Sequence, residues 1–192
     1  YENLVCSNSF DVVEKENFTG KQIHTPNGEV VIDFGQNIAG YVKFGFYAQA
    51  GQCITLYHGE CLDQNGNFTQ ENFQAPEHRV EQCVKYICKE GWNEYKPEKS
   101  IFGFRYIKAI TDVKVTEKNF TAIAVYSDMP QTGKFECGHP GINQLFSNAV
   151  WSMKGNFLEI PTDCPTRERT GFTGDAQVFV NTGMYLLECY PV

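Results

Sequence analysis

The sequence has 192 residues, 42% of them hydrophobic, 14% aromatic and 20% charged, with a formal net charge of −7. That length supports one large domain, or one domain and part of a second. The negative balance and the lack of a basic stripe exclude a nucleic-acid partner, which needs clustered Lys and Arg to displace counterions. No apolar run nears the roughly 20 residues that span a bilayer, so no membrane partner is expected either.

The chain starts at Tyr1 without an initiator Met or a charged-then-apolar leader, and is expected to begin inside a longer polypeptide. Its eight cysteines lack the close pairs of a zinc site; Cys83 and Cys88, the nearest, have no His ligand nearby. No metal and no cofactor are expected. Several cysteines lie in apolar segments, so buried free thiols in a reducing, cytoplasmic compartment are favoured, with a periplasmic or secreted location as the alternative. Asn17, Asn67 and Asn119 each open an Asn-Phe-Thr glycosylation triplet, read as coincidental.

From residue 30 to 126 the apolar pattern is mostly period two. Val42, Phe44, Phe46 and Ala48 alternate with Tyr41, Lys43, Gly45 and Tyr47, and Ile54, Leu56 and His58 lie opposite Cys53, Thr55 and Tyr57. Further strands are predicted at 80–88, 104–111 and 120–126, with turn chemistry at Pro26-Asn27-Gly28 and between Asp63 and Asn67. Short strands at this spacing imply an antiparallel β-sandwich or jelly roll. The aromatic content suits pleated surfaces first and sugar stacking second.

After Asp128-Met129-Pro130 the period becomes helical. Ile142, Leu145, Phe146, Ala149, Val150 and Met153 share one face of a helix that Pro140 can open. Ala176, Phe179, Val180, Gly183, Met184 and Leu187 define a second helix after Thr173-Gly174-Asp175. Two helices cannot bury such faces alone, so they must pack on the sandwich or on helices beyond Val192. Phe146, Val150, Phe179 and Leu187 are the apolar residues expected to be left exposed. The division is residues 1–128, sandwich, and 129–192, helices and connecting loop.

That loop, residues 160–175, carries three carboxylates, two Arg, two Pro and two Gly. A loop fixed by Pro and Gly between packed helices can present side chains with little freedom. Glycoside hydrolysis needs a protonated carboxylic acid and a second carboxylate, so a carboxylate cluster is suitable material. A purely structural reading is equally open: Asp163 as a turn former, Glu168 as an ion-pair partner of Arg167 or Arg169, Asp175 as a helix cap.

The loop resembles the signature of bacterial α-L-rhamnosidases, from Pro161-Thr162-Asp163-Cys164-Pro165 through Arg167-Glu168 to Gly171-Phe172-Thr173-Gly174-Asp175. Further stretches resemble the same family: Asp33-Phe34-Gly35-Gln36-Asn37-Ile38-Ala39-Gly40, Tyr57-His58-Gly59-Glu60, Phe102-Gly103-Phe104-Arg105-Tyr106, and Gly133 to Cys137 with Asn143-Gln144-Leu145, Trp151 and Gly155-Asn156-Phe157. The resemblance runs from about residue 30 to about 185. It implies a mainly β fold with C-terminal α: a concanavalin-like sandwich followed by the first helices of a truncated α/α-barrel of six hairpins. It also implies an inverting glycoside hydrolase that removes terminal, non-reducing α-L-rhamnose from glycosides or polysaccharides.

By matching position, Glu168 would be the general acid, Asp163 and Asp175 would bind rhamnose hydroxyls, and Arg167 would position the sugar or the carboxylates. Phe172 stands where many members have Trp and would keep an apolar wall for the C6 methyl group. Arg167 precedes Glu168 where many members carry another acidic residue, so the loop is a shorter variant. The family's general base lies on a later helix; the remaining catalytic domain would be the partner of this chain, which alone is expected to be inactive.

Three other readings compete. Cys164 could be a nucleophile beside a His, although His24, His58, His78 and His139 are all distant in sequence. The sandwich could be a non-catalytic carbohydrate-binding module with Tyr41, Tyr47 or Tyr57 as its platform. The chain could also be a structural scaffold with a vestigial loop.

Overall fold

A computed structural model describes residues 3–6, 8–73 and 81–190. Eight strands come first: β1 (Val12–Thr19), β2 (Lys21–His24), β3 (Val30–Ala48), β4 (Cys53–Gly59), β5 (Cys83–Ile87), β6 (Gly91–Tyr95), β7 (Phe102–Thr111) and β8 (Phe120–Ser127). Helix α1 (Pro140–Asn156), the two-residue strands β9 (Phe157–Leu158) and β10 (Ile160–Pro161), and helix α2 (Thr173–Leu186) follow. The strands pair antiparallel in the order β1-β8-β3-β7-β4-β5, with β2 and β6 also on β3. The expected strand at 80–88 begins at Cys83, and Val80 lies outside the described residues.

Strand β3 makes a sandwich out of this sheet because it serves both layers. Its first residues pair with β2 and β7, and its later ones with β8 and β6. Between them the register slips from Asp33 to Ile38, a bulge that bends the strand. Gly35 takes a left-handed φ of 79° there, a conformation that glycine adopts without Cβ strain. Asp33 stabilises the bend by accepting the Gly35 amide at 2.7 Å and a bidentate bond from Arg105 on β7 at 2.8 and 2.8 Å. The layers then face each other: Phe44 of β3 meets Tyr86 of β5 edge-on at 5.3 Å, and Tyr86 lies 5.3 Å from Tyr95 of β6.

The alternating residues that predicted these strands supply the core. Ile32, Phe44, Ile54, Leu56, Phe104, Ile107 and Phe120 are each buried to within 2% of their surface, and each contributes on the order of 1.5–3 kcal/mol by leaving water. Strands β1, β2 and β6 carry no such signal. In β1, Glu14, Lys15, Glu16 and Asn17 break the alternation. In β6 the fully buried residue is Asn93, whose amide is satisfied by Lys89, Gly91 and Tyr86.

Helix α1 forms as its period predicts, with Pro140 in its first turn, and it packs on β3 and β8. A second, smaller core joins Met129, Val150, Met153, Phe157, Leu186, Leu187 and Cys189, with Phe146 and Phe179 packed against it. This corrects the expected exposed set. Val150 and Leu187 are buried and Phe146 and Phe179 half-buried, because they pack into this second core, where the end of α2 is held by Pro130, Thr132 and Gly133. The exposed apolar residues are instead Ile142, Leu145, Val178, Val180, Met184 and Tyr185. Among the described residues no helix is long and apolar enough to cross a membrane.

All eight cysteines are free, but burial holds for only two of them, Cys88 and Cys189; Cys6, Cys53 and Cys61 are exposed. Cys6 and Cys61 lie outside the strands, and Cys53 opens β4 on its outward-facing side. Of the three glycosylation triplets, Asn67 is buried with its carbonyl bonded to the Asn27 amide, and Asn119 donates to Gly45 O at 2.8 Å. Both amides serve turns of the sandwich.

Candidate active site

The loop between the helices is built as a small closed platform. The β9–β10 hairpin turns through Glu159, in a left-handed φ of 70°, and Thr162 bridges Gly171. Asp163 closes the next rung: its amide donates to Thr170 O and its Oδ1 accepts the Thr170 amide, both at 3.2 Å. Residues 165–168 form a turn, and Arg169 returns the chain with a left-handed φ of 53°.

The sandwich holds this platform from below. Fully buried Gln82 donates its Nε2 to the carbonyl of buried Thr166. Arg169 Nη1 donates to Ile101 O at 3.1 Å. Gly103 of β7 lies so close that a Cβ there would come 2.6 Å from Thr166 Cγ2 and 2.7 Å from Pro165 Cγ, so only glycine lets the loop seat. Behind Gln82, His58 is fully buried, stacked on Phe102 at 4.2 Å, with its Nδ1 3.2 Å from Gln82 O. Desolvation lowers the His58 pKa to about 4, against a smaller opposing effect of that hydrogen bond. His58 is therefore neutral, a packing and support residue.

On the platform, Asp163, Cys164 and Glu168 place a carboxylate oxygen, a thiol sulfur and a second carboxylate oxygen within 4.8 Å of one another. The Cys164 thiol donates to Asp163 Oδ2 at 2.9 Å, lies 3.3 Å from Glu168 Oε2, and accepts the Arg167 amide at 3.3 Å. Burial pushes the Asp163 carboxyl up, but hydrogen bonds from Cys164, Glu168 and the Thr170 amide outweigh it and hold it below its ordinary value. Among the described residues the thiol has no His partner, and His78 lies outside them, so the nucleophile reading gains no geometry.

Asp163 and Asp175 share a cleft of about 500 Å3, lined also by Ser152, Asn156, Phe157, Val178 and Phe179. Asp175 lies in the first turn of α2, where the helix N-terminus favours a negative charge. It is not the cap, a position occupied by Phe172 without a side-chain bond. Phe172 is exposed and, like Glu168 and Arg167, is not among the residues that line the cleft. Arg167 is exposed, with Nε 3.4 Å from Glu168 Oε2, a surface pair worth little in stability. Sequence reasoning missed Gln82 and Ser152 as parts of the site; Gly103 and Asn156 stood in quoted stretches but with no stated reason.

The carbohydrate-platform reading loses two of its three tyrosines. Tyr41 is buried and donates to Glu14, and Tyr57 is half-buried with Lys108 over its ring at 5.5 Å. Tyr47 is exposed, edge-on to Trp92.

A sandwich joined through a carboxylate-bearing loop to two helices defines a fold and not an activity, and comparison with known proteins makes the assignment specific. Residues 23–126 match the bacterial α-L-rhamnosidase concanavalin-like domain, and residues 130–192 match the bacterial α-L-rhamnosidase six-hairpin glycosidase domain. The chain belongs to the bacterial α-L-rhamnosidase family. It is 35% identical over 175 residues to an α-L-rhamnosidase of Formosa agariphila, covering 88% of this chain and 18% of that protein. An α-L-rhamnosidase of an Alteromonas species is 35% identical over 165 residues, 84% of this chain and 18% of that protein. The structure of the Streptomyces avermitilis α-L-rhamnosidase complexed with L-rhamnose superposes with a TM-score of 0.89 at 31% identity, over 98% of this chain and 18% of that one. The Aspergillus terreus α-L-rhamnosidase gives 0.87 at 33% identity, over 99% and 22%. The chain thus spans about a fifth of the length of these four relatives.

Proposed function

We propose that this chain is the sandwich and acid-bearing part of an α-L-rhamnosidase that cleaves terminal α-L-rhamnose from glycosides or polysaccharides with inversion. Residues 1–128 are the supporting sandwich, and 129–192 begin the catalytic domain. The observation that carries the reading is the meeting of Asp163, Cys164 and Glu168 within 4.8 Å beside a cleft that Asp163 shares with Asp175.

In this mechanism Glu168 donates its proton to the glycosidic oxygen as the C1–O bond breaks, and the leaving group departs as a neutral alcohol. Water attacks C1 from the opposite face and gives its proton to a base carboxylate, which inversion requires on the order of 6.5–9.5 Å from the acid. Asp163 is too close to Glu168 to leave room for that water. It serves with Asp175 as an acceptor for rhamnose hydroxyls, and its lowered pKa keeps it ionised for that task. Arg167 steadies the Glu168 carboxyl, and Val178 and Phe179 give the cleft its apolar wall. The base belongs to the remainder of the catalytic domain, so the 192-residue chain alone does not turn over.

In the complete rhamnosidase, Glu168→Gln lowers kcat on an unactivated rhamnoside by about 10²–10⁴, the usual contribution of a general acid, and NMR of the wild-type reaction shows the β-anomer of rhamnose first. Wild-type turnover by the variant, or initial release of the α-anomer, refutes the corresponding assignment.

A further inference from the structure

Cys164 has no His beside it among the described residues, yet its sulfur is the atom through which the acidic cluster is joined. Three groups converge on it. Asp163 Oδ2 lies at 2.9 Å, Glu168 Oε2 at 3.3 Å and the Arg167 amide nitrogen at 3.3 Å. The thiol is half-buried, between a half-buried Asp163 and an exposed Glu168.

A count of hydrogens decides how these contacts are made. A thiol carries one hydrogen, and two carboxyl groups lie within its reach. The Arg167 amide supplies its own hydrogen to the sulfur, and the nearer carboxylate oxygen, that of Asp163, takes the hydrogen of the thiol. The remaining contact then sets a Glu168 oxygen against a sulfur lone pair, which is attractive only when Glu168 brings the hydrogen. The Asp163 carboxyl bears the same division: burial pushes it up, and hydrogen bonds from Cys164 and then Glu168 outweigh burial and hold it below its ordinary value. A carboxyl group can donate such a bond only while it is protonated.

The two carboxyls also differ in what else holds them. Asp163 is anchored without the thiol, since its Oδ1 accepts the Thr170 amide and its own amide donates to Thr170 O, both at 3.2 Å. Glu168 has no backbone anchor of that kind among the described residues. Apart from Asp163 and Cys164 its partner there is the exposed Arg167, at 3.4 Å, a pair that constrains little. Sulfur is a weak hydrogen-bond acceptor, so it can orient an acid without competing strongly with a glycosidic oxygen for the proton.

We infer that Cys164 is the positioning residue of the general acid: its thiol gives its hydrogen to Asp163 and its sulfur receives the Glu168 hydroxyl, so that one carboxyl stays an acceptor and the other a donor. The inference rests on the rhamnosidase reading above and adds how two neighbouring carboxyls are held in different roles.

The test is a double-mutant cycle in the complete rhamnosidase on two substrates, a rhamnosyl disaccharide and α-L-rhamnosyl fluoride, whose leaving group needs little acid assistance. Cys164→Ala is expected to lower kcat on the disaccharide by about 10–10²-fold, the scale of a misplaced reacting group, with a much smaller loss on the fluoride. In the Glu168→Gln background the same substitution is expected to change the disaccharide rate by no more than about twofold, because residues that act as a unit are not additive. Cys164→Ser, which keeps one hydrogen and an acceptor, recovers part of the loss. An equal fall in both backgrounds, equal losses on the two substrates, or a Ser variant no better than the Ala variant overturns the inference. Where Cys164→Ala lowers the melting temperature, the ratio of the two substrates still decides, since loss of folded enzyme lowers both rates alike. Glu168→Gln reports on the parent reading separately: if it spares the disaccharide, the acid assignment fails, and if it lowers the disaccharide rate while Cys164→Ala does not, only the role of the thiol fails.

Discussion

The sandwich and the helical segment each carry apolar faces, at strand and at helical spacing, but finish their packing differently. In the sandwich the alternating residues of β3, β4, β7 and β8 meet each other across two layers, and Phe104 is wholly buried. In the helices only Val150 and Met153 of α1, and Gly183 and Leu186 of α2, are buried, while Val178 is 78% and Tyr185 82% exposed. One region is closed by its own chain; the other turns part of its apolar surface outward, the condition in which a helix awaits a partner. The loop that carries Asp163 and Glu168 lies between them and takes its support from the closed side, through Gln82, Gly103 and Ile101.

The sharpest way to break this contrast is to truncate one residue on each side. Phe104→Ala should cost about 3–5 kcal/mol in urea denaturation, as for other buried Phe, whereas Tyr185→Ala should stay within about 0.5 kcal/mol. Similar losses at both sites would show the helical face to be packed in solution. The next largest effect is a pH dependence seated in the sandwich. His58 has a folded pKa of about 4 against an ordinary 6.5, so below 6.5 the unfolded chain takes up a proton that the fold refuses. Stability due to neutral His58 is full above pH 6.5 and falls as pH drops toward 4, by about 3 kcal/mol at 1.36 kcal/mol per pKa unit. His58→Gln should flatten that part of the stability profile; an unchanged slope would mean that another group titrates there.

A smaller effect sharpens the dependence of the loop on the sandwich. Gly103→Ala places a methyl group against Pro165 and Thr166, an overpacking expected to cost about 1–3 kcal/mol. Because the loop carries the proposed acid, the same variant of the complete rhamnosidase should lose turnover while still folded. Loss of stability with full kcat would show that the loop adjusts independently of β7.

Much of this was legible in the sequence because burial of alternate residues leaves a trace in composition. Phe44, Ile54, Leu56, Phe104 and Phe120 announced their strands, and the change of period after Met129 announced α1 and α2. Strands β1, β2 and β6 were not legible: they are held by backbone pairing and by polar side chains such as Asn93, which leave no apolar period. The loop showed its carboxylates but not their geometry. Nothing local in sequence indicates that Gln82 reaches Thr166, or that Phe172 stands outside the cleft, since both follow from how the platform seats on the sandwich. The helical faces were read correctly as apolar, yet which residues stay exposed depended on the second core that joins α1, Met129 and the end of α2.

The central claim is that the sandwich-held loop presents Glu168 as the proton donor, and the ratio of two rates tests it most directly. For Glu168→Gln in the complete rhamnosidase, hydrolysis of α-L-rhamnosyl fluoride should remain near the wild-type rate while hydrolysis of a rhamnosyl disaccharide falls by about 10²–10⁴. A uniform fall on both substrates, or none on either, would contradict it.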